Sequence, residues 1–156
     1  HKVLQCWCLP GHPNLSSLLE TTARNEGIAQ TEQLATAIQE ATQLLTRFSE
    51  HPIRQEIESA LERHHEVPYT YVAGKYAESG YIDLLYRTPA GWQIIDFKTD
   101  AIHSDQQRNA LMTEYQKQLI RYKNAVTKLL NTIPHARICF LDDQGEVSLM
   151  SMNSNF

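Results

Sequence analysis

With 156 residues, 42% hydrophobic and 21% charged, the chain has enough material for one ordinary domain with a real core, and no apolar run long enough to cross a bilayer or act as a signal peptide. A net charge of -4 excludes a general pull toward nucleic acid, so such a partner needs a local basic patch or a metal ion. Cys6, Cys8 and Cys139 cannot all pair, which points to a reducing, cytoplasmic setting.

The chain opens on His1 with no Met, and "HKVLQCW" is already helix-like, with Val3, Leu4 and Trp7 on one side. This reads as a cut from a longer polypeptide; the plainer alternative is that His1 is the remnant of a purification tag. "CLPGHPN" is a loop marked by Pro10, Gly11 and Pro13. From Leu15 to about Arg63 the pattern is helical. Leu34, Ile38, Leu45 and Phe48 recur at helical spacing, as do Ile53, Ile57 and Leu61, and Pro52 suits the first turn of the last helix. At "HHEVPYTYVAG" the character changes to strand, through Val67, Tyr69, Tyr71 and Val72. "SGYIDLLYRT" and "GWQIIDFKT" are two further strands joined by a short turn at "PAG". "AIHSDQQRNA" reads as a polar, mobile loop. "LMTEYQKQLIRYKNAVTKLLN" is a long helix that ends near Pro134, and "ARICFLD" and "EVSLMSM" are strands on either side of a "DDQG" turn. Helices, a three-stranded meander, a helix and two strands predict an α/β or α+β fold, a small mixed sheet flanked by helices. Residues 1–63 form a helical segment that covers the core in residues 64–156.

Two of these strands carry acids where apolar residues are expected. Asp96 and Lys98 are two apart on one strand, so they project from the same face. Asp83 lies thirteen residues earlier, across the hairpin. Two buried carboxylates repel each other, and desolvation penalises both. Lys98 neutralises one of them. A divalent cation neutralises the other, and Mg2+ takes one or two carboxylates while leaving its remaining positions to water and phosphate oxygens. For a single buried Asp, a structural ion pair with Lys98 is the better reading; for Asp, tight hairpin and Asp-Phe-Lys together, a metal site is.

"GYIDLLY" and "GWQIIDFKTD", followed by "EYQKQLIRY", resemble the PD-(D/E)xK nuclease superfamily and within it the RecB-type branch, in which the strand motif ends in Lys-Thr and the next helix carries Gln-x-x-x-Tyr, here Gln118 and Tyr122. "HHEVPY" is similar to the Glu-x-Pro-aromatic strand of that branch, and "HKVLQ" to the helix whose His is a metal ligand. The likeness is to the nuclease domains that end helicase-nuclease subunits of RecB and AddA type. It implies a restriction-endonuclease-like core and a Mg2+- or Mn2+-dependent deoxyribonuclease, exonucleolytic and possibly also endonucleolytic on single strands, in DNA repair and recombination. It implies Asp83, Asp96, the carbonyl of Phe97 and the imidazole of His1 as metal ligands, with Lys98, Gln118 and Tyr122 completing the catalytic set. Lys98 would orient the attacking water and stabilise charge on phosphorus, and the metal would lower the pKa of that water. The Gly that usually precedes the ligand His is not in the chain. Three Cys, with Cys6-x-Cys8 at the wrong spacing, predict no iron–sulfur cluster, and no Walker motif marks an ATP site.

Other signals are weaker. Glu66 reads equally as an acid behind the active site and as an exposed strand residue. His64 and His65 read as surface residues, and His103 as a solvated loop residue. Lys117, Arg121 and Lys128 fall on one side of the long helix and are candidate contacts to a DNA backbone. Tyr115, Trp7 and Trp92 read as core. Partners implied are DNA, as single strands or duplex ends, the helicase portion of the same polypeptide and a partner subunit, with no membrane. The alternative is a non-catalytic DNA-binding or bracing module of the same fold.

Overall fold

The computed structural model describes residues 1–151. Helices α1 (Lys2–Gln5), α2 (Leu15–Asn25), α3 (Thr31–Glu50) and α4 (Pro52–Glu58) precede strands β1 (Glu62–Ala73), β2 (Tyr76–Thr88) and β3 (Gly91–Ile102). Helix α5 (Asp105–Leu130) then leads to β4 (His135–Asp143) and β5 (Glu146–Ser151). The five strands form one mixed sheet in the order β1-β2-β3-β4-β5, parallel only between β3 and β4, where α5 provides the crossover. The mixed α/β sheet flanked by helices is therefore present as expected.

The two faces of the sheet are covered by different helices. On one face, Leu4, Leu19, Leu45, Phe48, Ile53 and Ile57 from α1–α4 pack on Leu84, Tyr86, Ile95, Phe97, Cys139 and Leu141. On the other, Leu119, Tyr122, Ala125 and Val126 of α5 pack on Tyr69, Ile82, Leu85, Ile94, Ile138 and Phe140. Strands β3 and β4 are buried on both sides, which is why "IIDF" and "ARICFL" read as nearly continuous apolar runs. Phe48 meets Phe97 edge-on at 5.6 Å and Trp7 at 5.8 Å. Such a buried ring contributes about 1.5–3 kcal/mol.

Several expectations need correction. Arg63 lies in β1, and the helical run ends at Glu58, so Leu61 is left exposed beyond it. The segment "AIHSDQQRNA" is not a mobile loop. Its first residues finish β3, and Ser104 caps α5 by accepting a hydrogen bond from the Gln107 N–H at 3.2 Å. The His103 N–H donates in turn to Gln107 Oε1 at 2.9 Å, and Arg108 pairs with buried Asp143 at 3.0 Å. Strand β2 begins at Tyr76, earlier than predicted, because "KYAES" continues the ladder with β1. Trp7 and Trp92 are half-buried rather than core, His64 is exposed as expected, and His65 is half-buried against Trp7 at 5.1 Å. Of the expected "EVSLMSM" strand, Met152 lies outside the described residues.

One irregularity positions the site. The β2–β3 ladder covers only Leu84 to Thr88 with Gly91 to Ile95. Beyond it β2 stays with β1, while β3 continues with β4. The sheet forks at Asp83 and Asp96. On β1 the opposite residue, Glu66, drops out of the ladder with φ 52, a left-handed conformation that is unfavourable for a non-glycine residue. The alternation of faces skips at this level: Leu84 and Leu85 face opposite clusters as they should, but Ile82 shares the face of Leu85 rather than that of Leu84.

Candidate active site

Asp96 and Lys98 follow Ile94 on the α5 face of β3 by the two-residue period. Asp96 is 1% exposed. Lys98 Nζ stands 2.8 Å from its Oδ2, yet neither carboxylate oxygen receives a hydrogen bond of good geometry, so the contact is an ion pair rather than a directed bond. Burial pushes the Asp96 carboxyl up to about 6, with Lys98 pulling against it and Asp83 adding to the rise. Asp83, at the fork, accepts the Phe97 N–H on Oδ2 at 2.9 Å, and its carboxyl is also raised by burial.

Helix α5 holds the lysine from above. Lys98 Nζ donates to Gln118 Oε1 at 3.0 Å, and Gln118 Nε2 donates to the Tyr122 hydroxyl. The four-residue spacing of Gln118 and Tyr122 puts both on the helical face that meets β3. Burial drives the Tyr122 phenol far above its ordinary value, and both Asp96 and Asp83 lie close enough to push it further. Its hydroxyl proton is therefore retained. Tyr115, one turn earlier, lies with its ring 4.3 Å from Lys98 Nζ and donates its hydroxyl to Asp100 at 2.9 Å. Tyr115 packs against the α5-side core as expected, its ring 6.3 Å from that of Phe140, and the contact with Lys98 comes in addition. The signal for that contact was the three-residue distance of Tyr115 from Gln118, which places the two side by side on a helix. After Lys98 a register shift interrupts the β3–β4 ladder, which resumes at Ala101 and Asp142.

On the opposite face, His1, Leu4, Gln5, Glu66, Asp83 and Phe97 line a small pocket. His1 Nδ1 is 3.7 Å from Asp83 Oδ2. Glu66 thus stands with His1 and Asp83 at this mouth, half-buried, and its left-handed backbone is what aligns it there.

The site so assembled brings together Asp83, Asp96, Lys98, Gln118 and Tyr122, with His1 and Phe97 beside Asp83. The basic stripe lies apart. Lys117 and Arg121 are exposed on α5, and Lys128 is tied to the end of β1, its Nζ donating to the Val72 carbonyl at 2.7 Å and lying 5.0 Å from the Tyr71 ring. His103 is exposed in the turn before α5.

Among the described residues, no three His, Cys, Asp or Glu side chains stand together in ligand geometry. The donors that are present still fit a hard divalent cation. Asp83 and Asp96 are two desolvated carboxylates, Asp96 with no hydrogen bond of good geometry on either oxygen, and Mg2+ takes one or two such carboxylates with water completing the shell.

No family model matches the chain, and no curated protein is similar to it in sequence. Solved structures that resemble it include the protein VC1899 from Vibrio cholerae, at 14% identity and a TM-score of 0.39. That likeness covers 88% of this chain and 43% of the other, so the chain spans less than half of that protein's length.

Proposed function

We propose that this chain is a restriction-endonuclease-like, divalent-metal-dependent deoxyribonuclease, the nuclease domain of a helicase-nuclease of RecB or AddA type. The observation that carries the reading is the Asp96 carboxylate: buried, without a hydrogen bond of good geometry, paired with Lys98, and next to a second desolvated acid, Asp83, where the sheet forks. A purely structural ion pair gains nothing from a second buried acid beside it. The resemblance of the Asp, Asp-Phe-Lys and Gln-x-x-x-Tyr segments to the RecB branch points the same way.

Asp83, Asp96, the Phe97 carbonyl and His1 would hold Mg2+ or Mn2+, which when bound polarises water and offsets charge on the phosphate. The chain's own residues do the rest. Gln118 and Asp96 together fix Lys98 Nζ, so the ammonium stays beside the position where negative charge builds on the phosphorane-like transition state. Tyr122 keeps its proton and, with its oxygen already accepting from Gln118, has an O–H left to give to a phosphate oxygen. Water adds to phosphorus as the bond to the 3′-oxygen breaks, leaving a 5′-phosphate and a 3′-hydroxyl. DNA, the helicase portion of the same polypeptide and a partner subunit are the partners this reading entails.

The test is cleavage of linear and circular single-stranded DNA in Mg2+ or Mn2+, with Asp96→Ala, Lys98→Ala and EDTA as controls. Cleavage abolished by all three is expected. Cleavage that survives Asp96→Ala sinks the assignment, and DNA binding without turnover, indifferent to EDTA and to Lys98→Ala, would leave the bracing module in its place.

A further inference from the structure

Past the fork, β1 and β2 run on as a two-stranded arm to the Ala73–Tyr76 turn, without support from β3. One face of the arm packs on α5 through Tyr69, Tyr71 and Ile82. The other face is bare. Pro68 pairs with Tyr81, Thr70 with Ser79 and Val72 with Ala77, and all six are exposed, Tyr81 to 61% and Val72 to 67%. Gly80, one residue before Tyr81, has no room for a side chain, because a Cβ there would stand 2.9 Å from the Tyr69 hydroxyl. Strand β2 therefore lies tightly against the buried Tyr69 while its other side turns Tyr81 to solvent.

We infer that this bare face is a track for single-stranded DNA leading into the fork, with Tyr81 as the platform on which a base stacks next to the scissile phosphate. The inference rests on the nuclease reading for its choice of polymer. Three features favour that occupant. Tyr81 is two residues from Asp83, about 7 Å along the strand, which puts a base stacked on its ring beside the reacting phosphate. The face carries no acid beyond Glu66: the one other acid of the arm, Glu78, is turned to the α5 side, where it accepts the Tyr71 hydroxyl at 2.7 Å. A cation, Lys75, stands exposed in the turn at the far end of the strip. The Thr70–Ser79 pair also separates Pro68 and Tyr81 from Val72 and Ala77, so the strip offers no continuous apolar patch to a protein partner and Tyr81 is its one aromatic ring for a base to stack on. A duplex keeps its bases stacked on one another and gains nothing from Tyr81.

The experiment is fluorescence anisotropy with a labelled short oligo(dT) and a hairpin duplex of matching length, in EDTA so that no cleavage intervenes. Wild type is compared with Tyr81→Ala, Tyr81→Phe and Tyr76→Ala, each checked for folding by circular dichroism. Tyr81→Ala is expected to weaken oligo(dT) binding about tenfold, Tyr81→Phe to keep it, and duplex binding to change little. Tyr76→Ala, whose ring sits at the turn and off the strip, should bind as wild type. Equal losses on single strand and duplex, the same loss in Tyr76→Ala, no loss in Tyr81→Ala, or no oligo(dT) binding by wild type would each overturn the track. Selective loss in Tyr81→Ala from a protein that never cleaves DNA would remove the nuclease reading and leave the track. Cleavage with unimpaired Tyr81→Ala binding would do the reverse.

Discussion

Asp96 holds its charge at a position 1% exposed, and the ion pair with Lys98 compensates for only part of the lost hydration. Its carboxyl rises from 3.8 to about 6, a difference worth about 3 kcal/mol between the protonated and ionised forms. The sign follows from proton binding. Between the unfolded and folded values, from about pH 4 to about pH 6, the native state keeps a proton that the unfolded chain has lost, so stability falls as pH rises through that window. Asp96→Asn removes the titration. In metal-free buffer, urea unfolding should therefore show the wild type losing about 1–3 kcal/mol relative to Asp96→Asn between pH 4 and pH 7. A difference between the two proteins that does not change with pH would mean that Asp96 does not ionise against its surroundings. The Lys98 partners explain why so unfavourable a group is kept in place. Asp96 of β3 and, from α5, Gln118 and the Tyr115 ring all approach the ammonium, so its position is set by three contacts at once.

Between the arm and α5 the site is braced by rings rather than by charges. Tyr69 meets Tyr122 edge-on at 5.8 Å, and Tyr122 holds Gln118, which holds Lys98. The chain of contacts starts at Gly80, where an added Cβ would come within 3.0 Å of Tyr69 Cζ as well as 2.9 Å of its hydroxyl. Gly80→Ala should cost about 1–3 kcal/mol by overpacking and slow cleavage through displacement of Tyr122. Thermal unfolding and cleavage rates measured together check this, with Gly80→Ala/Tyr69→Phe recovering part of both losses. A variant as stable and active as wild type would show that Tyr69 gives way freely. The elements themselves were largely legible. Apolar strands alternate or run continuously as burial requires, and Pro52, Pro134 and the "PAG" and "DDQG" turns mark real boundaries. The Ser104-x-x-Gln107 capping signature was also present in "AIHSDQQRNA", but its many polar residues read as a loop. The early start of β2 was hidden because "KYAES" is largely exposed in the arm, so no hydrophobic alternation marks it. Asp83, Asp96 and Lys98 stood out because acids and a base interrupt apolar strands, whereas the left-handed backbone of Glu66 has no local signal at all: nothing in "HHEVPY" requires φ 52 there, and tertiary fit imposes it.

At the scale of the whole molecule, the sheet separates two hydrophobic clusters, and β3 contributes to both, Ile95 and Phe97 to one and Ile94 and Ile102 to the other. The fork interrupts this spine where Asp83 and Asp96 are desolvated, so the fold carries an electrostatic deficit at its centre. A ligand that binds the native state and not the unfolded chain stabilises by mass action, about 2.7 kcal/mol at a hundred times its dissociation constant. A cation that relieves both carboxylates should therefore report on the entire fold. For a domain of this length such a gain corresponds to a rise in Tm of roughly 5–10 °C. Mg2+ or Mn2+, added to protein stripped with EDTA, should produce that rise in wild type and little or none in Asp83→Ala or Asp96→Asn, read by calorimetry without any DNA present. Ca2+, also an oxygen-seeking cation, should stabilise in the same pattern whether or not it supports cleavage. An equal rise in the wild type and in both variants would place the cation elsewhere on the surface, and the fork would then be held by Lys98 alone.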